Sequence, residues 1–220
     1  MNRNLVLFVT IGLVVVLSTA LVLTGCGKKE DVVIEELEET VSTKSSAANF
    51  KVFNVYTDKR SPNNHYIPAG WMGDFGDIKL NDMWMEGAHS GSTSVRIEHA
   101  PNRSQGAGWI GVYWQNPANN WGSKRAGFNL TGAKKVTFWA KGEKGGEIIS
   151  EFKIGGLTGE FSDSAAAGIG PVMLTTEWKQ YEIDLSGQDL SHIIGGFCFS
   201  ESSDDNPEGV IFYLDDIRYE

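Results

Sequence analysis

The sequence of 220 residues predicts an all-β, antiparallel β-sandwich over residues 50–220. Short runs of β-branched and aromatic residues recur there between clusters of Gly, Asn, Asp and Pro, and few stretches have a helical period. The 26 glycines can supply the turns and bulges that short strands need. Repeated strands without intervening helices favour a sandwich. The predicted strands are 50–56, 94–99, 108–115, 135–141, 147–154, 179–185, 193–200 and 210–219.

Residues 1–25 are interpreted as an N-terminal signal segment. Arg3 precedes an apolar run over residues 5–23, which ends at Leu23-Thr24-Gly25-Cys26. This ending resembles the lipobox of bacterial lipoproteins, which implies cleavage before Cys26 and lipidation of its sulfur and new amino group. The alternative is an uncleaved transmembrane anchor, because the run is long enough to span a bilayer. Both interpretations place the remaining chain outside the cytoplasm, anchored to a lipid bilayer.

Residues 26–49 are predicted to be a tether, because they are charged and then Ser/Ala-rich and contain no aromatic residue. The whole chain has 19 basic and 28 acidic residues, a net charge of −9, which argues against nucleic acid and anionic lipid surfaces as partners. Cys198 is the only cysteine besides Cys26, so no disulfide framework is expected. Cys198 is predicted to be a small buried residue.

The stretch 108–122 is rich in rings, and its first half alternates as a strand with a core face and an outer face does. The predicted core set is Ile110, Val112 and Trp114. The outer set is Trp109, Gly111 and Tyr113, with two rings on either side of a glycine and an amide-rich loop beyond them. Such rings suit a flat ligand with polar edges, such as a sugar. The alternative is that the rings only pack in the core or at its rim.

The same alternation places other side chains on outer faces. Trp139 points away from a core set of Val136, Phe138 and Ala140. In strand 147–154, Ile148, Phe152 and Ile154 are predicted to be core, and in strand 179–185 the outer residues are polar. The predicted ligand-binding residues are Trp109, Tyr113, Trp139, Glu151 and Gln180. Whether the strands that carry them are neighbours stays open at this point.

The C-terminal strand predicts a bulge. Phe212 and Leu214 share one face, and Ile217 and Tyr219 reach the same face only if the register shifts by one at Asp215-Asp216. Two acids at a bulge can hold a calcium ion through side-chain and main-chain oxygens. The alternative is a strand end with two solvated acids.

Four segments, FYLDDIRYE, WKQYEIDLSGQDL, KKVTFWAKG and SGSTSVRIE, together resemble jelly-roll carbohydrate-binding modules of the galactose-binding-like type. The resemblance covers residues 50–220. It implies two antiparallel sheets, a structural calcium near the last strand, and glycan binding on a concave sheet face or in loops at one end. It also implies Asp215 as a calcium ligand, with Asp58, Asp74 and the main chain near Ser90 as further candidates.

The sequence therefore predicts non-catalytic carbohydrate binding by a membrane-anchored, extracytoplasmic lipoprotein. One alternative is an envelope lipoprotein that binds a protein partner. Another is a glycan-degrading enzyme, which would need a carboxylate pair from residues such as Glu151, Glu182 and Asp184. The glycine-rich stretch 70–77 is predicted to be a loop that rims a glycan site or supplies calcium oxygens. The alternative is a structured surface loop without a binding role.

Overall fold

In the computed structural model, which describes residues 50–220, short strands connected by turns account for almost all regular structure. Helical structure among these residues is one 3-10 turn at Phe75–Asp77. The strands are β1 (Phe53–Tyr56), β2 (Ile67–Gly73), β3 (Ile78–Trp84), β4 (Ser94–His99), β5 (Trp109–Gln115), β6 (Lys135–Gly142), β7 (Ile148–Ile149), β8 (Glu151–Gly155), β9 (Ala166–Ile169), β10 (Val172–Met173), β11 (Lys179–Asp184), β12 (Gly195–Ser202) and β13 (Val210–Tyr219).

The strands form two antiparallel sheets that face each other across an apolar core. Sheet A has the order β11-β6-β13-β4-β3, and β1 also pairs with β13. Sheet B has the order β2-β5-β12-β8-β9. The short strands β7 and β10 form a separate two-stranded ladder. The predicted antiparallel sandwich is confirmed.

The predicted strands are present, but strand 147–154 is interrupted at Ser150. Because of this break Ile149, and not Ile148 as predicted, is buried. The strands β2, β3, β9 and β10 were not predicted. The prediction of a loop over 70–77 is wrong, because β2 continues to Gly73 and the 3-10 turn follows.

The predicted inside and outside faces of the central strands are confirmed. Ile110, Val112 and Trp114 are fully buried in the core, as are the core residues predicted for β6. Cys198 is also buried, as predicted, and carries no disulfide. The inward side chains of each sheet pack against those of the other sheet and form the core.

The predicted bulge in β13 is confirmed. The register of β13 against β6 shifts between Asp215 and Arg218, and Asp216 adopts a left-handed conformation with φ 48°. The shift keeps both Ile217 and Tyr219 fully buried. The Tyr219 hydroxyl donates a hydrogen bond of 2.7 Å to the Gly196 carbonyl, which ties sheet A to sheet B.

The predicted signal segment 1–25, the tether 26–49 and the lipidation site Cys26 lie outside the described residues. Within residues 50–220, no helix is long and apolar enough to cross a membrane.

Candidate functional site

The outer face of sheet B carries the predicted pattern of two rings beside a glycine. Trp109, at the start of β5, is 40% exposed. A Cβ atom on Gly111 would lie 2.7 Å from the Met72 methyl and 2.9 Å from the Phe199 carbonyl oxygen. The methyl of Met72 therefore occupies the gap between the rings, and only glycine leaves room for it.

Tyr113 lies on this outer face as predicted, but its ring is covered and only 3% of the residue is exposed. Its hydroxyl donates a hydrogen bond of 2.9 Å to the Gly155 carbonyl, and the Lys153 ammonium lies 5.6 Å from the ring centroid. Burial raises the pKa of Tyr113 far above its ordinary value. The Tyr113 ring is therefore packed beneath the surface of this face and is not available for stacking on a ligand.

Trp121 is the second exposed ring of this face, at 41%. It meets Tyr113 edge to face, with 6.1 Å between ring centroids. The loop that carries it is shaped by Asn120, whose amide accepts from the Lys124 N–H at 3.1 Å and donates to the Lys124 carbonyl at 2.9 Å. The amides of the predicted Asn-rich loop therefore fix the position of Trp121.

The segment 156–164 packs on the loop that follows Trp121. Gly122 has φ 82°, and a Cβ there would lie 2.1 Å from the Thr158 carbonyl oxygen. Its own carbonyl accepts the Phe161 N–H at 2.9 Å. Asp163 holds the other end by accepting the Leu157 N–H at 2.9 Å, and burial raises the pKa of Asp163 above its ordinary value. A left-handed glycine with such close contacts cannot be replaced without moving the segment.

Polar side chains lie beside the rings on the outer face of sheet B. Ser200 on β12 pairs with Gly111 on one side and with Glu151 on the other. The Glu151 carboxylate lies 3.3 Å from the Lys153 ammonium. Trp109, Ser200, Glu151 and Lys153 therefore lie on one sheet face, and we call them, with Trp121, the sheet B face.

Two predicted binding residues lie on the other sheet. Trp139 and Gln180 pair with each other across β6 and β11 in sheet A. The Trp139 ring stacks on the His89 ring at 3.7 Å, so a side chain of the protein itself covers it. The five predicted binding residues therefore divide between the two sheets, because alternation separates inside from outside but does not say which sheet a strand joins.

The three predicted calcium ligands also lie in two separate places. Asp215 is fully buried and accepts the N–H groups of His89 at 2.9 Å and Ser90 at 3.3 Å. Asp58 accepts the N–H groups of Ser92 and Thr93, both at 2.8 Å. Both carboxylates thus bind one loop, residues 89–93.

Asp74 lies apart from this loop, because it accepts N–H groups from residues 105, 107 and 108. No group of three or more His, Cys, Asp or Glu side chains in residues 50–220 is arranged to hold a metal ion. Burial, together with the neighbouring Asp216 carboxylate, raises the pKa of Asp215 to about 7. Asp58 and Asp215 therefore contact the same loop, whereas Asp74 contacts the segment 105–108.

Two residues of the sheet B face, Trp121 and Lys153, and the neighbouring Met72 were not among the predicted binding residues. Trp121 had a signal, since it lies in the same ring-rich stretch as Trp109. Met72 had none, because its strand was taken for a loop. Alternation along β8 puts Lys153 on the same side of its strand as Glu151, but nothing in the sequence places β8 near β5.

Comparisons with known proteins identify the fold. No protein-family model matches the chain, and no curated protein matches it. A solved family 30 carbohydrate-binding module covers 79% of this chain and 89% of its own, with 15% identity and a TM-score of 0.54. The family 30 module of the cellulosomal cellulase Cel9D-Cel44B of Clostridium thermocellum covers 77% and 97%, with 15% identity and a TM-score of 0.53. The likeness confirms the jelly-roll fold.

Proposed function

We propose that the chain binds a polysaccharide on the sheet B face and has no catalytic activity of its own. The observation that carries the proposal is the pair of exposed tryptophans, Trp109 and Trp121, beside a strip of hydroxyl, carboxylate and ammonium groups. The C–H face of a sugar ring packs on an aromatic face, and its hydroxyls bond to the polar strip. The fold shared with carbohydrate-binding modules supports this proposal.

The arrangement of acids argues against a glycan-degrading enzyme. Glu151 lies on the sheet B face, whereas Glu182 pairs with Thr137 in sheet A and Asp184 pairs with Lys135 there. A hydrolase needs two carboxyl groups across one cleft, roughly 5 to 10 Å apart. Glu151 therefore lies on a different sheet from Glu182 and Asp184, and it is paired with Lys153. In sheet A, Glu182 is paired with Lys135, and Asp184 accepts the Ser186 N–H.

A structural calcium is part of the proposal. Asp58 and Asp215 would hold it, and when bound it would supply the positive charge that the buried Asp215 carboxylate lacks. Its effect would fall on the loop 89–93, which both carboxylates contact. The binding site for sugar lies on the other sheet, so calcium would act on stability and not on sugar contacts.

Membrane anchoring through Cys26 is also proposed, and it places the sugar-binding domain outside the cytoplasm. The support is the lipobox-like ending of the apolar run at residues 23–26. Labelling of the chain with a radioactive fatty acid in a bacterial host, lost in Cys26→Ser, would support lipidation. Equal labelling of Cys26→Ser would reject it.

The sugar-binding proposal is tested by tryptophan fluorescence of the full chain in a detergent without a sugar headgroup. The titrants are neutral, acidic and amino-sugar polysaccharides. A saturable change with one class, from the seven tryptophans of the chain, is the expected result. No fluorescence response to any class would contradict sugar binding. If a pull-down from the native envelope then returned a stoichiometric protein, the function would be protein binding instead.

A further inference from the structure

Within residues 50–220, Arg125 is an exposed cation that makes no ion pair with an acid, and it follows the loop that carries Trp121. Three other arginines do form such pairs: Arg96 with Glu98, Arg103 with Asp204 and Arg218 with Glu220. The positive charge of Arg125 is therefore available to a ligand.

An aromatic ring holds the Arg125 side chain. Its Cζ atom lies 5.5 Å from the centroid of the Phe161 ring. A cation–π contact attracts the guanidinium but does not neutralise it. It also leaves the five N–H donors of the guanidinium without an acceptor oxygen.

The main chain fixes the position of Arg125 from both sides. Before it, the Asn120 amide accepts from the Lys124 N–H at 3.1 Å and donates to the Lys124 carbonyl at 2.9 Å. After it, Phe128 and Ile193 exchange N–H···O bonds of 3.0 and 2.9 Å. Arg125 is thus carried by a short segment with two anchored ends.

The same contacts bring Arg125 to the Trp121 end of the sheet B face. Phe161 packs on the small buried cluster that contains Tyr113, and Trp121 meets Tyr113 edge to face. The Phe161 N–H also donates to the carbonyl of Gly122, next to Trp121, at 2.9 Å. The cation and the exposed ring therefore share one support.

The charges at this end of the face leave a positive excess. The segment 156–164 carries two acids, Glu160 and Asp163. Asp163 accepts three main-chain N–H groups, which offset its charge. Glu160 is exposed, and the loop that packs on this segment carries two exposed cations, Lys124 and Arg125.

We propose that the Trp121 end of the sheet B face selects a polysaccharide whose sugar units carry carboxylates, as uronic acids do, and that Arg125 binds the carboxylate. A guanidinium presents its donors in a fork that matches the two oxygens of a carboxylate. The carboxylate of a uronic acid projects from the edge of the sugar ring, so a sugar packed on Trp121 can also contact Arg125. This inference rests on the proposed sugar binding by the sheet B face.

The test titrates the full chain, by tryptophan fluorescence, with acidic polymers and with their own neutral esters. The pairs are polygalacturonate with its methyl ester and alginate with its propylene glycol ester. At least one acidic polymer is expected to bind about tenfold or more tightly than its ester, because charge-assisted hydrogen bonds are roughly twice as strong as neutral ones. The net charge of −9 gives the chain no general attraction to a polyanion, so a preference for the acid reports a local contact.

The outcomes separate this inference from the proposed function. Equal or weaker binding of both acidic polymers relative to their esters would overturn the selection of carboxylates and leave sugar binding standing. So would binding of a neutral polysaccharide with no binding of either acidic polymer. Tighter binding of dextran sulfate than of both acidic polymers would assign the site to sulfated sugars. No binding of any polysaccharide would contradict sugar binding itself.

Variants assign the preference to one side chain. Arg125→Gln is expected to weaken the acidic polymer about tenfold and to leave its ester unchanged, and Arg125→Lys, which keeps the charge but not the fork, is expected to lose less. Arg60→Gln is the matched control, because Arg60 is exposed in the loop after β1. Trp121→Ala is expected to weaken acid and ester alike, since ring stacking does not depend on the carboxylate. An unchanged preference in Arg125→Gln, or an equal loss in Arg60→Gln, would overturn the role of Arg125.

Discussion

The outer faces of the two sheets carry similar residues but differ in what covers them. On sheet A, Trp139 is stacked under His89, and the Lys141 ammonium lies 5.4 Å from the Trp178 ring and 5.0 Å from the Tyr213 ring. On sheet B, Trp109 and Trp121 remain about two-fifths exposed. The rings of sheet A are thus occupied by groups of the protein itself. The comparison shows that an outward ring becomes a candidate binding surface only where no loop covers it.

The largest expected effect comes from breaking the support of the sheet B face. In Gly122→Ala the new Cβ would collide with the Thr158 carbonyl, and φ there is unfavourable for alanine. We expect a loss of about 2–4 kcal/mol of unfolding free energy and weaker polysaccharide binding, because Trp121 moves with its loop. Thermal denaturation and affinity measurements check both effects.

Gly146→Ala is the matched control for this change. Gly146 also has positive φ, but its Cβ would meet no atom within 4 Å. We expect Gly146→Ala to lose about 1 kcal/mol of unfolding free energy, because only the backbone conformation opposes the substitution. Equal losses in the two variants would show that the contact with Thr158 does not support the face.

Calcium is expected to stabilise the sheet A side of the domain and to leave the sheet B face unaffected. A ligand that binds only the folded state at 100 times its Kd adds about 2.7 kcal/mol of stability. Chelation should therefore lower Tm and increase acrylamide quenching of Trp139, while Trp109 is unaffected. Single-tryptophan replacements with phenylalanine report the two rings separately. A Tm unmoved by chelator would contradict the calcium proposal.

His89→Ala should expose Trp139 on sheet A, as Trp109 is exposed on sheet B. The substitution removes a ring stack on Trp139 and a contact of 2.9 Å with the Asp216 carboxylate. We expect a loss of about 1–2 kcal/mol, since an aromatic pair is worth about 0.5–1.5 and a net hydrogen bond about 1 kcal/mol. Quenching of Trp139 should rise with it. Unchanged quenching would mean that His89 is not what covers the ring.

The smallest expected effect is on the pH dependence of stability without calcium. Burial raises the pKa of Asp215 to about 7 and also raises that of Asp163. Because its folded-state pKa is raised, Asp215 stabilises the fold at low pH, and that stability is lost as pH rises through about 7. Asp163 contributes with the same sign. In chelator, Tm should fall by a few degrees from pH 5 to pH 8.

Asp215→Asn cannot titrate at this position, so it should lose part of that decline. A slope identical to that of the wild type would show that Asp215 does not cause it. The comparison between the two proteins removes contributions that both share.

The central strands could be predicted because each has one face toward the core and one face on the outside of its sheet. Alternation identified the faces of β5, and the bulge at Asp215 followed from the need to bury Ile217 and Tyr219. The edge strand β2 contains Pro68 and two glycines, which are signals for turns, and its strand conformation depends on pairing with β5.

The candidate site was only half predictable for a related reason. Trp109 follows from the period of its own strand, whereas the exposure of Trp121 depends on how the segment 156–164 docks. Trp109 and Trp139 were both predicted to point outward, but a strand period gives the side of a strand and does not say which sheet the strand joins. Which strands become neighbours is set by packing over the whole chain.

The most direct test of the account compares Trp109→Ala with Trp139→Ala by affinity electrophoresis in gels that contain a polysaccharide which retards the wild-type chain. A tryptophan at the centre of a binding surface typically contributes 2 kcal/mol or more, about thirtyfold in affinity. We predict that Trp109→Ala loses most of its retardation and that Trp139→Ala keeps it. Normal retardation of Trp109→Ala, or loss only in Trp139→Ala, would contradict the assignment of sugar binding to the sheet B face.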